Sequence, residues 1–155
     1  MPVKPIPDGY HSITPYLTVK GAPRALEFYE KAFGAKVLFR MDDKEGRVSH
    51  AELELGDSRI MLSDEHPEMG VRSPLSVGGT PVSIHLYTDD VDATVARAVA
   101  LGAKVTRAVA DQFYGDRSGT LTDPFGHRWF VSTHTEDVSP EEMERRVAAQ
   151  QQPSA

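Results

Sequence analysis

Apolar positions along this chain follow helical and extended rhythms, and the two rhythms recur in the same order twice. Ala22, Leu26, Tyr29 and Phe33 repeat at three- and four-residue spacing, and Ala25, Phe28 and Ala32 widen the stripe, which predicts an amphipathic helix. Pro23 suits its first turn and Gly34 its left-handed end. Before it, residues 13–19 are rich in β-formers and read as a strand, with Pro15 placing them at an edge or a strand start. Three extended stretches follow it at 35–41, 47–55 and 58–62, separated by a charged turn at 42–46 and a tight turn at Gly56-Asp57. Within 47–55, Val48, His50, Glu52 and Glu54 alternate with Ser49, Ala51, Leu53 and Leu55, so the two sets face opposite ways.

The order then restarts. Residues 82–88 read as a strand, Asp89 or Asp90 caps a helix whose buried face is Val91, Val95, Ala98 and Val99, and Gly102 ends it. Extended residues 103–109, a polar loop at 111–117, a short strand at 119–122, the tight turn Asp123-Pro124-Phe125-Gly126 and a last strand at 128–134 complete the copy. The pentapeptides Phe33-Gly34-Ala35-Lys36-Val37 and Leu101-Gly102-Ala103-Lys104-Val105 mark the same helix-to-strand junction in each half, so the fold class is α+β, built from two βαβββ modules, with any active site between them. The expected layout is an irregular arm (1–12), a first module (13–62), a proline- and glycine-rich linker (63–81), a second module (82–134) and a tail (135–155). The capping box Ser139-Pro140-Glu141-Glu142 opens a short helix there that runs to about residue 150.

Composition trims the functional range. A net charge of −6 over 155 residues, with no basic run, argues against nucleic acid or an anionic membrane as partner. With no cysteine, disulfides, thiolate metal sites and a cysteine nucleophile are excluded. No apolar run approaches the roughly 18 residues of a membrane span, and residues 1–10 lack a signal peptide's apolar core, so the expected location is the cytoplasm. Gly78-Gly79 precedes a strand, not a helix, and so makes no phosphate cradle; no nucleophile-elbow pattern occurs.

Several short stretches, in order, carry a resemblance: Thr14-Pro15-Tyr16-Leu17, the run Glu27–Ala35, His50-Ala51-Glu52-Leu53, Ile60-Met61-Leu62-Ser63-Asp64, His85-Leu86-Tyr87, Asp90-Val91-Asp92, the run 111–117 and the run 123–129. Over residues 11–134 the chain resembles the vicinal oxygen chelate (glyoxalase, bleomycin-resistance and dioxygenase) superfamily, nearest to its PhnB-like subgroup. The resemblance implies one such domain, with curved mixed sheets around a cavity, a small-molecule ligand and a homodimer in which the modules are exchanged between chains in many relatives.

In metal-dependent members, four inward-facing His, Glu or Gln side chains on the first and last strands of each module bind one divalent ion. The corresponding positions here are Thr14, Met61, Ser83 and Phe130, and none is a good ligand for a hard divalent ion. The leading expectation is therefore a cofactor-free protein that binds a small molecule through Tyr16, His50, Met61, Ser83, His85, Tyr87, Arg117 and Phe130. The alternative is a metal-dependent lyase, isomerase or dioxygenase with a displaced site at His50, Glu52 and His85, neutral imidazoles being good first-row ligands. A third reading uses His50 or His85 as the general base of a metal-free enzyme. Tyr16 and Tyr87 read either as ligand-stacking or as core residues, Trp129 as core, and Arg117, with Gln112 and Tyr114, either as a ligand contact or as a pin for its own loop.

Overall fold

A computed structural model describes residues 2–153. The chain runs β1 (Tyr16–Val19), α1 (Ala22–Phe33), β2 (Lys36–Asp42), β3 (Val48–Leu55) and β4 (Ser58–Asp64), then a 3-10 turn at Pro67–Met69 and α2 (Pro74–Val77). The second copy is β5 (Ser83–Tyr87), α3 (Val91–Ala100), β6 (Lys104–Asp111), β7 (Asp116–Thr122) and β8 (Arg128–His134), followed by α4 (Pro140–Gln150). Two mixed four-stranded sheets result, in the orders β1-β4-β3-β2 and β5-β8-β7-β6, and they do not close into a barrel. No helix among the described residues is long and apolar enough to cross a membrane.

Three boundaries differ from the sequence expectation, each for a local reason. The first strand starts at Tyr16, not at residue 13, because Pro15 has no N–H to give; its carbonyl accepts from Met61 and opens the parallel ladder. β4 runs on to Asp64, and the connection after it folds into two short helical turns. The polar stretch 111–117 is strand at both ends: Asp111 pairs with Arg117 across β6 and β7, leaving 112–115 as the turn.

The buried residues of α1 are the seven that the apolar stripe marks, but on α3 Val99 is exposed and Thr94 takes its place. Both helices lie against the same side of the sheets and touch one another, so the two modules share one core. Phe28, Tyr29 and Phe33 of α1 meet Phe125 and Trp129 of the second module, with the Phe33 and Trp129 ring centroids 4.7 Å apart. Asp123, buried at the β7–β8 turn, locks this contact. Its Oδ2 accepts from the Tyr29 hydroxyl (2.6 Å) and the Trp129 indole (2.9 Å), and its Oδ1 accepts from the backbone N–H groups of Phe125 and His127. Burial, then the Asp123 charge, holds the Tyr29 phenol well above its usual pKa, so it stays a donor.

The helix starts are capped from across the sheet. No Ser, Thr, Asp or Asn precedes α1; instead Asp64 on β4 accepts from the N–H groups of Gly21 and Ala22 through Oδ1, and from Val48 through Oδ2. In the second module the Thr133 hydroxyl takes the N–H of Val91, and Asp90 caps Ala93 locally.

Candidate functional site

The faces turned away from the helices are open, and alternation along each strand decides what they present. On the first sheet, cross-strand pairing aligns Tyr16 with Met61, Met61 with Glu52 and Glu52 with Phe39, with His50 opposite Met41 in the next row. The Tyr16 hydroxyl lies 2.8 Å from His50 Nδ1, and His50 Nε2 lies 3.4 Å from a Glu52 oxygen. Tyr16, Phe39 and Met41 are about half exposed, at 49%, 48% and 51%.

On the second sheet, the corresponding face carries Ser83, His85 and Tyr87 from β5 and Phe130 and Ser132 from β8. The His85 ring stacks on Tyr87 at 4.6 Å and on Phe130 at 5.9 Å. Its Nε2 lies 2.8 Å from the buried Ser132 hydroxyl, which donates to Ser118. His85 Nδ1 has no protein partner among the described residues. Two cavities, of about 270 and 450 Å³, flank the seam between β1 and β5, and His85 lines both. His127 crosses the seam, its Nε2 lying 2.9 Å from the Thr18 carbonyl.

Of the residues singled out from sequence, Tyr16, His50, Glu52 and Met61 thus share the open face of the first sheet, and Ser83, His85, Tyr87 and Phe130 that of the second. Thr14 precedes β1 and lines the smaller cavity. His50, Glu52 and His85 do not form one group: each histidine's contacts stay within its own module. No cluster of three His, Asp or Glu side chains able to hold a metal occurs among the described residues. The donor chemistry at the four family positions does not fit a divalent ion either, since Met61 and Phe130 offer no oxygen or nitrogen and the Ser83 hydroxyl accepts from Arg128.

Arg117 lies apart from these residues. Asp116 and Ser118 project to the open face, so Arg117 projects to the helix side, where it holds Asp92 of α3 (2.7 and 3.0 Å) and Asp111 (3.2 Å). Those carboxylates push its pKa further up, and its geometry is that of a pin between β7 and α3. Trp129 is buried in the core.

The site also contains groups that sequence reasoning missed. Tyr87 donates to Asp116, Asp116 meets His134 Nδ1 at 2.7 Å, and His134 Nε2 meets Asp137 at 2.8 Å. The signal was Asp116 and His134 on paired strands, hidden while residues 111–117 were read as loop. Hydrogen bonding to Asp116, then to Asp137, raises the His134 pKa. Its stabilising contribution is therefore full below the ordinary histidine value of about 6.5 and fades as pH rises through the higher folded value. The melting-temperature gap between the wild type and His134→Gln is expected to shrink from about pH 6 to about pH 9; a gap that widens would contradict this.

Comparison with known proteins agrees with the duplicated fold. The family model described as Glyoxalase/Bleomycin resistance protein/Dioxygenase superfamily matches residues 9–131. An uncharacterised protein of Mycobacterium bovis is 42% identical over 142 residues, which span 90% of this chain and 93% of its own length. The X-ray structure of an Arabidopsis thaliana gene product is 29% identical and superposes with a TM-score of 0.64, covering 79% of this chain and 98% of that one. A Bacillus cereus protein described as a putative 3-demethylubiquinone-9 3-methyltransferase, PhnB protein, shares the fold at 20% identity, with a TM-score of 0.62 over 79% of this chain and 99% of that one. With two βαβββ modules, a shared helical core and a family match across both, the chain belongs to the Glyoxalase/Bleomycin resistance protein/Dioxygenase superfamily.

Proposed function

We propose that this protein is a PhnB-like, metal-independent member of the superfamily that binds a small molecule on the open sheet faces, as a cytoplasmic homodimer. The observation that carries the reading is the chemistry of the four positions at which metal-dependent relatives place ligands. Here they are Thr14, Met61, Ser83 and Phe130, and the last three stand beside Tyr16, His85 and Tyr87 in aromatic, partly apolar surroundings. Such a wall with a few fixed polar groups is what small-molecule sites offer. The half-exposed Tyr16, Phe39, Met41 and Tyr87 support a dimer, because a second copy laid across these faces would shield them.

The test is elemental analysis of the protein after exposure to zinc, nickel, manganese and iron and then desalting. No stoichiometric ion is expected in the wild type or in His50→Ala. A second reading, a metal-dependent enzyme, draws on the His50–Glu52 contact. One tightly held ion per chain, lost in His50→Ala, would establish it and overturn the first. Light scattering at several concentrations tests the dimer, and a monomer throughout would refute it.

A further inference from the structure

The face that carries His85 also carries two arginines that no carboxylate engages. Register sets Arg107 on β6 opposite Thr120, Thr120 opposite Phe130 and Phe130 opposite His85; one row along, Thr122, Arg128 and Ser83 stand side by side. Directly opposed residues point to the same side of a sheet, so Arg107 and Arg128 share the face of the ring stack. The Arg107 guanidinium lies 5.8 Å from the Phe130 ring centroid and donates to Ser118 at 3.2 Å, while Arg128 Nε donates to Ser83 at 2.7 Å. Arg40, Arg47, Arg59, Arg117, Arg145 and Arg146 each hold a carboxylate; among the described residues Arg107 and Arg128 hold none, nor do Arg24, Arg72 and Arg97.

Two further observations point to a ligand here. Thr120, in the same row, is only 6% exposed and its hydroxyl has no hydrogen-bond partner among the described residues, a deficit that costs free energy. The rings of Tyr87, His85 and Phe130 stand as nearly parallel plates, at 18° and 29° to one another, beside the two guanidinium forks.

We infer that this face selects a planar aromatic ligand bearing a carboxylate or phosphate group, with Arg107 and Arg128 binding the anion and Phe130, His85 and Tyr87 stacking on the ring. The inference rests on the small-molecule reading above and narrows its ligand class. Guanidinium groups match such anions in geometry as well as charge, each able to give two parallel hydrogen bonds. The chain Arg107–Ser118–Ser132–His85 links the cation to the stacking ring, so the two parts of the site are positioned together.

The experiment compares 2-naphthoate with its uncharged counterpart 2-naphthalenemethanol, by calorimetric titration and by amide NMR shifts at residues 83–87 and 128–132. Naphthoate is expected to bind about tenfold tighter than the alcohol, and Arg107→Gln or Arg128→Gln to remove most of that preference. Phe130→Ala is expected to weaken both. Equal affinities for acid and alcohol, or naphthoate binding that neither arginine substitution changes, would overturn the anion inference while leaving the small-molecule reading standing. Absence of shifts at this face with either compound would overturn both.

Discussion

Replacing Asp123 with alanine is expected to cost about 4 kcal/mol of folding stability, the largest effect of any single substitution considered. Two buried donors, the Tyr29 hydroxyl and the Trp129 indole, lose their acceptor at once, and each such orphan costs roughly 1–3 kcal/mol. The β7–β8 turn also loses the carboxylate oxygen that gathers the Phe125 and His127 N–H groups. For a chain of this size, about 4 kcal/mol corresponds to a fall in melting temperature of roughly 8–16 °C. Tyr29→Phe is the internal control: it removes one donor and leaves the carboxylate its other three, so about 1–2 kcal/mol is expected. Denaturant titration of both variants decides the matter. A loss below about 1 kcal/mol for Asp123→Ala would mean that the contact between the modules does not depend on this carboxylate.

Asp64→Ala is expected to rank second, at about 3 kcal/mol, through a different mechanism. The first turn of α1 has no cap of its own, and Gly21 enters it with φ at 91°, so the helix depends on a carboxylate more than forty residues away in sequence. The same side chain holds the Val48 N–H at the start of β3. Asp64→Asn keeps one oxygen for the helix but turns an amide N–H toward the Val48 donor, so it recovers only part of the loss. Hydrogen exchange gives the specific readout: the Ala22 and Val48 amides should exchange faster in Asp64→Ala. Unchanged protection at both would show that neither leans on Asp64.

The order of elements and the stripe of α1 were legible because each rests on local periodicity, and the seven buried α1 residues are the ones that spacing selects. Asp123 shows what spacing cannot carry. As the first residue of an Asp-Pro-Phe-Gly turn it reads as a turn former, and nothing nearby announces that its second oxygen serves Tyr29, 94 positions earlier. The candidate site was legible in part. Parity along β5 put His85 on the face of Ser83, and that of β3 grouped His50 with Glu52, as found. Arg107 escaped notice because β6 slips in register on both sides of it, so counting by twos from either end of the strand misplaces it. Arg128 sits two residues before Phe130, so the same parity places it on that face. Asp116 and Ser118 were hidden because a strand whose open face is polar resembles a loop in composition.

The aromatic box between α1 and the β7–β8 turn has a consequence for how the halves relate. Two copies of one pattern record a duplication, and inheritance alone would allow them to drift apart as separate units. With Phe28, Tyr29 and Phe33 resting on Phe125 and Trp129, the two halves share one continuous interior. Substitutions tolerated in one copy are thereafter screened by the other, and the repeat visible in the sequence is a trace of ancestry, not a line along which the molecule can be taken apart.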